Sequence, residues 1–212
     1  MRKTLILSML VLTGISCVDD KASYPNTPFR SCGEEFYYFE NKPIHLKKSV
    51  DRATVGFNAR INRNDAEQLL SAYSFVTSLD GFFMEEESSV AIISLEKDLS
   101  CAYLDQDLGK LALNERVSFT HCMFFREYRD IFIGIGDQFI VGLKSVRDTV
   151  VLRELTQQTR TRIVKPLDSQ TYILRVNAGS TGNALYMANY FHDSGRFKYA
   201  EPDFINFGNL FD

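Results

Sequence analysis

The stretch Ala184-Leu185-Tyr186-Met187-Ala188-Asn189-Tyr190-Phe191-His192-Asp193-Ser194-Gly195-Arg196-Phe197-Lys198-Tyr199-Ala200-Glu201-Pro202-Asp203-Phe204-Ile205 compresses a helix, a stop and a strand. Ala184 to His192 reads as the helix, and Gly195 as its stop, because glycine takes the left-handed turn that ends a helix at no steric cost. Phe197 to Ala200 reads as the closing strand. Upstream, Thr171 to Val176 (TYILRV) alternates apolar and polar residues except at Ile173-Leu174, as a half-buried strand does. Ile163-Val164 is a short strand ended by Pro166. Val146 to about Thr159 reads as a helix with Val151, Leu152 and Leu155 on one side, and Phe139 to Leu143 is the opening strand. The order is β-α-β-β-α-β.

The same order occurs once before. Ala53 to Ala59 is strand-like, and Asn64-Asp65 reads as a helix cap ahead of Ala66 to Leu70. Phe75 to Met84 and Val90 to Leu95 read as strands joined by the acidic turn Glu85-Glu86-Glu87-Ser88-Ser89. Ser100 caps a helix whose Leu104, Leu108 and Leu111 fall on one face. Val117 to Phe125 completes the copy. The expected fold is α+β: two tandem ferredoxin-like units with antiparallel sheets, over residues 36–133 and 134–212.

Apolar residues make up 45% of the 212-residue chain and aromatics 13%, enough for a real core rather than disorder. Formal net charge is −3, and no basic patch stands out, which argues against nucleic acid as a partner.

Met1-Arg2-Lys3 is a short basic segment, and the mostly apolar run Thr4 to Ile15 is too short to span a bilayer as a helix. Residues 1–16 read as a secretory signal peptide. Ser16-Cys17 places a cysteine at the cleavage point, the mark of a bacterial lipoprotein, so Cys17 is the expected lipidation site and the membrane a partner through that lipid. Gly14 and Ile15 depart from the usual lipoprotein box. Asp19-Asp20 after the cysteine resembles a surface-export signal, which points to the outer membrane and to its outer face. Residues 17–35, with Pro25, Pro28 and Gly33, read as a flexible tether. Phe36-Tyr37-Tyr38-Phe39 then opens the folded body.

Three more cysteines remain, in a compartment that permits disulfides. Cys101 and Cys122 stand as a candidate pair, with free buried thiols as the other reading. With three scattered histidines and no CxxC spacing, no metal or other cofactor is expected.

The second copy resembles the N-terminal prodomain of subtilisin-like serine proteases of the Gram-negative envelope type. Phe139 to Lys144 resembles that prodomain's first strand and Thr171 to Val176 its third. Ala184 to Ile205, with its Ala-Glu-Pro-Asp-Phe element, is very similar to its end. Phe36 to Leu46 is similar to its start. In the family a catalytic domain follows. Here the sequence ends at Asp212 and holds none of the Asp-Thr-Gly, His-Gly-Thr and Gly-Thr-Ser-Met elements, so the resemblance implies a prodomain standing alone, with no catalytic residues and no enzymatic activity. It further implies a subtilisin-like protease as partner. Glu201 and Asp203 would meet the N-termini of two protease helices, and Phe204 to Asp212 would lie in the substrate cleft, with Leu210 and Phe211 in apolar subsites and Asp212 last. The expected role is inhibitor or folding chaperone in trans. The alternative is an envelope binding or assembly module that kept the fold.

Overall fold

The computed structural model describes residues 31–96, 100–126, 131–177 and 179–206. Strand β1 (Ser31–Phe39) pairs with β2 (Lys42–Phe57) through a two-residue turn at Glu40 and Asn41. Both turn residues have positive φ, 50° and 60°, the left-handed pair that matches hairpin twist and that Asn tolerates well. The chain continues with α1 (Arg63–Leu70), β3 (Val76–Met84), β4 (Ser89–Leu95), α2 (Cys101–Ala112) and β5 (Val117–Arg126). Then come β6 (Ile131–Gly142), a 3-10 turn at Val146–Asp148, α3 (Thr149–Thr159), β7 (Arg162–Pro166), β8 (Thr171–Arg175), α4 (Ala184–Asp193) and β9 (Tyr199–Asn206).

The helices start where side chains satisfy free N–H groups. Asn62 accepts from Asp65 N, Ser100 from Tyr103 N and Asn183 from Tyr186 N. The cap of α1 is thus Asn62, two residues before the expected Asn64. Ser145 and Asp148 form a reciprocal capping box ahead of α3.

The protein is α+β, and both halves have the ferredoxin-like order. β2-α1-β3-β4-α2-β5 lays its strands β3-β4-β2-β5, and β6-α3-β7-β8-α4-β9 lays its own β7-β8-β6-β9, all antiparallel. β5 also pairs with β6, so the nine strands among the described residues form one sheet, and the expected boundary between 133 and 134 falls inside β6.

Each unit buries its helices on one face. Phe57, Leu70, Ile93, Leu104 and Leu111 fill the first core. Phe139, Leu152, Leu155, Leu174, Leu185 and Phe191 fill the second, which β1 and β2 enter with Tyr37 and Leu46. A third cluster lies between the units. Ile92 and Met123, on the face of the first sheet away from its helices, pack against Phe83, Phe132 and Ile205. Beside it the buried Thr54 hydroxyl donates to Ile135 O at 2.9 Å, joining β2 to β6.

Two expectations are corrected. The tether does not run to residue 35, because Ser31 to Glu35 already belong to β1. That strand changes the cysteine pairing. It carries Cys32 to the first turn of α2, where Cys32 and Cys101 form the disulfide, with Cα atoms 5.2 Å apart. Cys122 is not bridged to Cys101. It faces the first core from β5 as a buried free thiol, pushed up to about 12 by its burial.

Candidate functional site

Glu201 and Asp203 stand two residues apart on β9 and so point the same way. Between and beside them, Ala200, Pro202 and Phe204 point inward to the second core or pack at its edge. Pro202 is tolerated because β9 pairs on one side alone, with β6. The two carboxylates therefore share the sheet face opposite α3 and α4. With them are Ile140 and Gln138 of β6, Thr171, Ile173 and Arg175 of β8, and Tyr199. Among the described residues no helix covers this face.

Its side chains are ordered by a few contacts. Tyr199 lies over Gly142, where a Cβ would collide with its ring, and its hydroxyl is 3.2 Å from that of Thr171. Arg175 Nε is 3.3 Å from Asp137 Oδ1. Asp137 sits in a β6 bulge, where the β6–β9 register jumps between Ile135 and Phe139. Burial pushes the Asp137 carboxyl up, and Arg175 opposes that rise.

Glu201 and Asp203 are half-buried, and among the described residues neither side chain has a hydrogen-bond or ion-pair partner. Burial raises the Glu201 pKa, the nearby charge of Glu40 adds to the rise, and His192 opposes it. Burial raises Asp203 too, with Glu85 of the β3–β4 turn adding to it. Such groups are short of donors, and N–H groups from a partner would satisfy them.

Phe204 is placed otherwise than expected. It lies within β9, paired with Ile135, and its ring meets Tyr37 edge-on with centroids 4.8 Å apart. The Arg126 guanidinium packs over both rings, 5.3 Å from Phe204 and 5.4 Å from Tyr37, and donates to Tyr37 Oη at 2.6 Å. Ile205 joins the inter-unit cluster. The extended tail thus does not begin at Phe204, since pairing holds the strand through Asn206. Leu210, Phe211, Asp212 and Cys17 lie outside the described residues.

The clasp between the β1–β2 hairpin and α4 had no counterpart in the sequence reading. Asn189 Nδ2 donates to Phe36 O at 2.7 Å, His192 Nε2 is 3.1 Å from Asn41 Oδ1, and the His192 ring stacks on Tyr38. The aromatic run Phe36 to Phe39 was its one sequence signal.

Among the described residues no group of three His, Cys, Asp or Glu side chains could hold a metal ion. Two shallow depressions, of about 230 and 350 Å³, lie beside Arg116 at the loop end of the first unit, away from Glu201 and Asp203.

No protein-family model matches the chain, and no curated protein matches it. Among solved structures, the acetolactate synthase small subunit from Thermotoga maritima aligns with 74% of this chain and 96% of its own, at 10% identity and a TM-score of 0.26. A likeness that slight carries no argument about fold or function.

Proposed function

We propose that this is a non-enzymatic lipoprotein of the outer membrane, anchored through Cys17, that binds a subtilisin-like protease in trans as inhibitor or folding chaperone. One observation carries the reading: Glu201 and Asp203 are half-buried carboxylates, two residues apart on a sheet face that no described helix covers, with no hydrogen-bond or ion-pair partner among the described residues. A helix N-terminus offers unsatisfied N–H groups and the positive end of a dipole. Two such helix ends on a protease surface complement two such carboxylates. Residues 207–212 would then supply the arm that lies in the cleft by strand addition.

The test is titration of the purified protein into subtilisin-type proteases, with residual peptidase activity and complex formation by gel filtration as readouts. Binding is expected, and Glu201→Gln with Asp203→Asn should weaken it at least about tenfold. Truncation after Asn206 should abolish inhibition while leaving complex formation detectable. Absence of any complex, or wild-type binding by the double variant, overturns the reading.

A binding or assembly module that acts on no protease is the second reading. The pairing of Phe204 to Asn206 with β6 favours it, because that pairing shortens the free arm the inhibitor model uses.

A further inference from the structure

The register of the second unit sets its open face in rows. Opposed residues of paired strands point to the same side. Arg162 of β7 lies opposite Arg175 of β8, and Arg175 opposite Gln138 of β6, with Asp203 of β9 across the β6 bulge. In the next row Lys165 lies opposite Ile173, Ile173 opposite Ile140, and Ile140 opposite Glu201. Both rows therefore run from a base on β7 to an acid on β9.

The centre of each row is neutral. Arg175 is matched by Asp137 at 3.3 Å, within reach of the Arg162 charge as well. Arg162 and Lys165 are exposed, and like Glu201 and Asp203 they have no hydrogen-bond or ion-pair partner among the described residues. The neighbouring charges keep the contrast. Glu85 stands near Asp203 and Glu40 near Glu201, against His192 near Glu201. Asp168, at the β7–β8 turn, already accepts from the N–H groups of Gln170 and Thr171. Ile205, the next outward residue of β9, packs into the inter-unit cluster, so the open area ends there.

A face built this way is complementary to itself. A two-fold axis along the strands, midway between β6 and β8, lays β9 of one copy over β7 of the other with the rows in register. Arg162 then meets Asp203 and Lys165 meets Glu201, twice each by symmetry, and Ile140 of each copy covers Ile173 of the other. An axis across the strands would set acids on acids. Aligned sheets pack face to face in this manner, about 10 Å apart and turned by about 30°.

We propose that a second copy of this chain docks on the open sheet face as an isologous dimer, β9 over β7, with Arg162–Asp203 and Lys165–Glu201 ion pairs around Ile140 and Ile173. Four strands about 4.8 Å apart and three rows about 7 Å apart give about 400 Å² per copy, the size of a weak, reversible interface. The association does not require the protease reading. Only its consequence rests on that reading: a copy seated here withholds Glu201 and Asp203 from a protease.

The experiment is sedimentation equilibrium of the purified protein with no protease present. The wild type should dimerise reversibly with a Kd on the order of 100 µM, more weakly as salt rises. Arg162→Glu with Lys165→Glu makes a copy with two acidic edges, and Glu201→Lys with Asp203→Lys a copy with two basic edges. Each alone should lose at least about tenfold in affinity. An equimolar mixture should regain it as a heterodimer, which also shows that both variants fold. Wild type that stays monomeric to about 1 mM, a reversal variant that dimerises as the wild type does, or a mixture that stays monomeric overturns the proposal. A monomer that binds a subtilisin-type protease leaves the protease reading standing alone, and a dimer that binds none leaves the self-association standing alone.

Discussion

The imidazole of His192 lies flat against the phenol of Tyr38, ring centroids 3.7 Å apart and planes within 15°. One ring comes from the last turn of α4 and the other from β1, so residues more than 150 positions apart in sequence hold the hairpin to the second unit. Offset or edge-on pairs gain about 0.5–1.5 kcal/mol beyond burial. A double-mutant cycle of Tyr38→Ala and His192→Ala, followed by urea denaturation, should give a coupling in that range. Additive effects of the two substitutions would show that the stack holds nothing.

The Cys32–Cys101 disulfide closes a loop with a sequence separation of 69. Loop-closure entropy for such a span predicts about 4 kcal/mol of stabilisation, less any native strain. Cys32→Ser with Cys101→Ser should lower the melting temperature accordingly in calorimetry. Cys122, enclosed and with its thiol pushed up to about 12, should resist iodoacetamide in the folded protein and react after unfolding. Alkylation of Cys101 in the native, oxidised protein would refute the pairing.

His121 gives the fold an acid limit. The ring stacks on Phe119 at 5.3 Å, and its Nε2 is enclosed without a hydrogen-bond partner. Burial first, then the charge of Lys48, lowers its pKa to about 4. The unfolded chain therefore binds this proton more readily, and stability falls as pH drops from about 6.5 towards 4. The loss is at most about 3 kcal/mol by linkage, and less in practice, because part of the ring edge reaches solvent. Glu35, Asp137, Glu201 and Asp203 have raised pKa values and act with the opposite sign, since the folded state holds their protons longer. Urea melts between pH 7 and 4 should show His121→Phe losing less stability than the wild type. Parallel curves would contradict the assignment.

Phe204 belongs to a paired strand rather than to a free tail. Packed against Tyr37 and Arg126, its replacement by Ala should cost about 2 kcal/mol or more. A residue in a free tail would cost nothing measurable. Arg126→Ala should cost a similar amount, because it removes a buried hydrogen bond to the Tyr37 hydroxyl and the packing over both rings.

The second unit could be read from local signals. The apolar spacing of Leu152 and Leu155, the alternation of Thr171 to Val176 and the Gly195 stop each act within a few residues, and α3, β7, β8 and α4 came out near their places, while β6 begins at Ile131 ahead of the expected Phe139 and β9 runs to Asn206 beyond the expected Ala200. What could not be read depends on distant partners. Ser31 to Glu35 look like linker, since Gly33 and two nearby prolines outweigh a short strand that exists only because β2 offers it an edge. The cysteine pairing went with it. β9 runs past Pro202 because the strand pairs on one side alone, with β6, which local chemistry does not reveal. Glu201 and Asp203 share one face because β9 runs on beyond the expected end at Ala200. The clasp that brings His192 and Glu40 near Glu201 was not legible, because the hairpin and α4 meet only in the finished fold.

The covalent bond at Cys32 lies one residue inside the first described strand. A tension applied to the chain ahead of Ser31 would reach that bond almost at once and pass through it into the first turn of α2. The force would bypass the β1–β2 hydrogen bonds and the stacked rings on α4. The joint works as strain relief does on a cable, so a pull from the N-terminal side leaves the β1–β2 hairpin and its contacts with α4 unloaded.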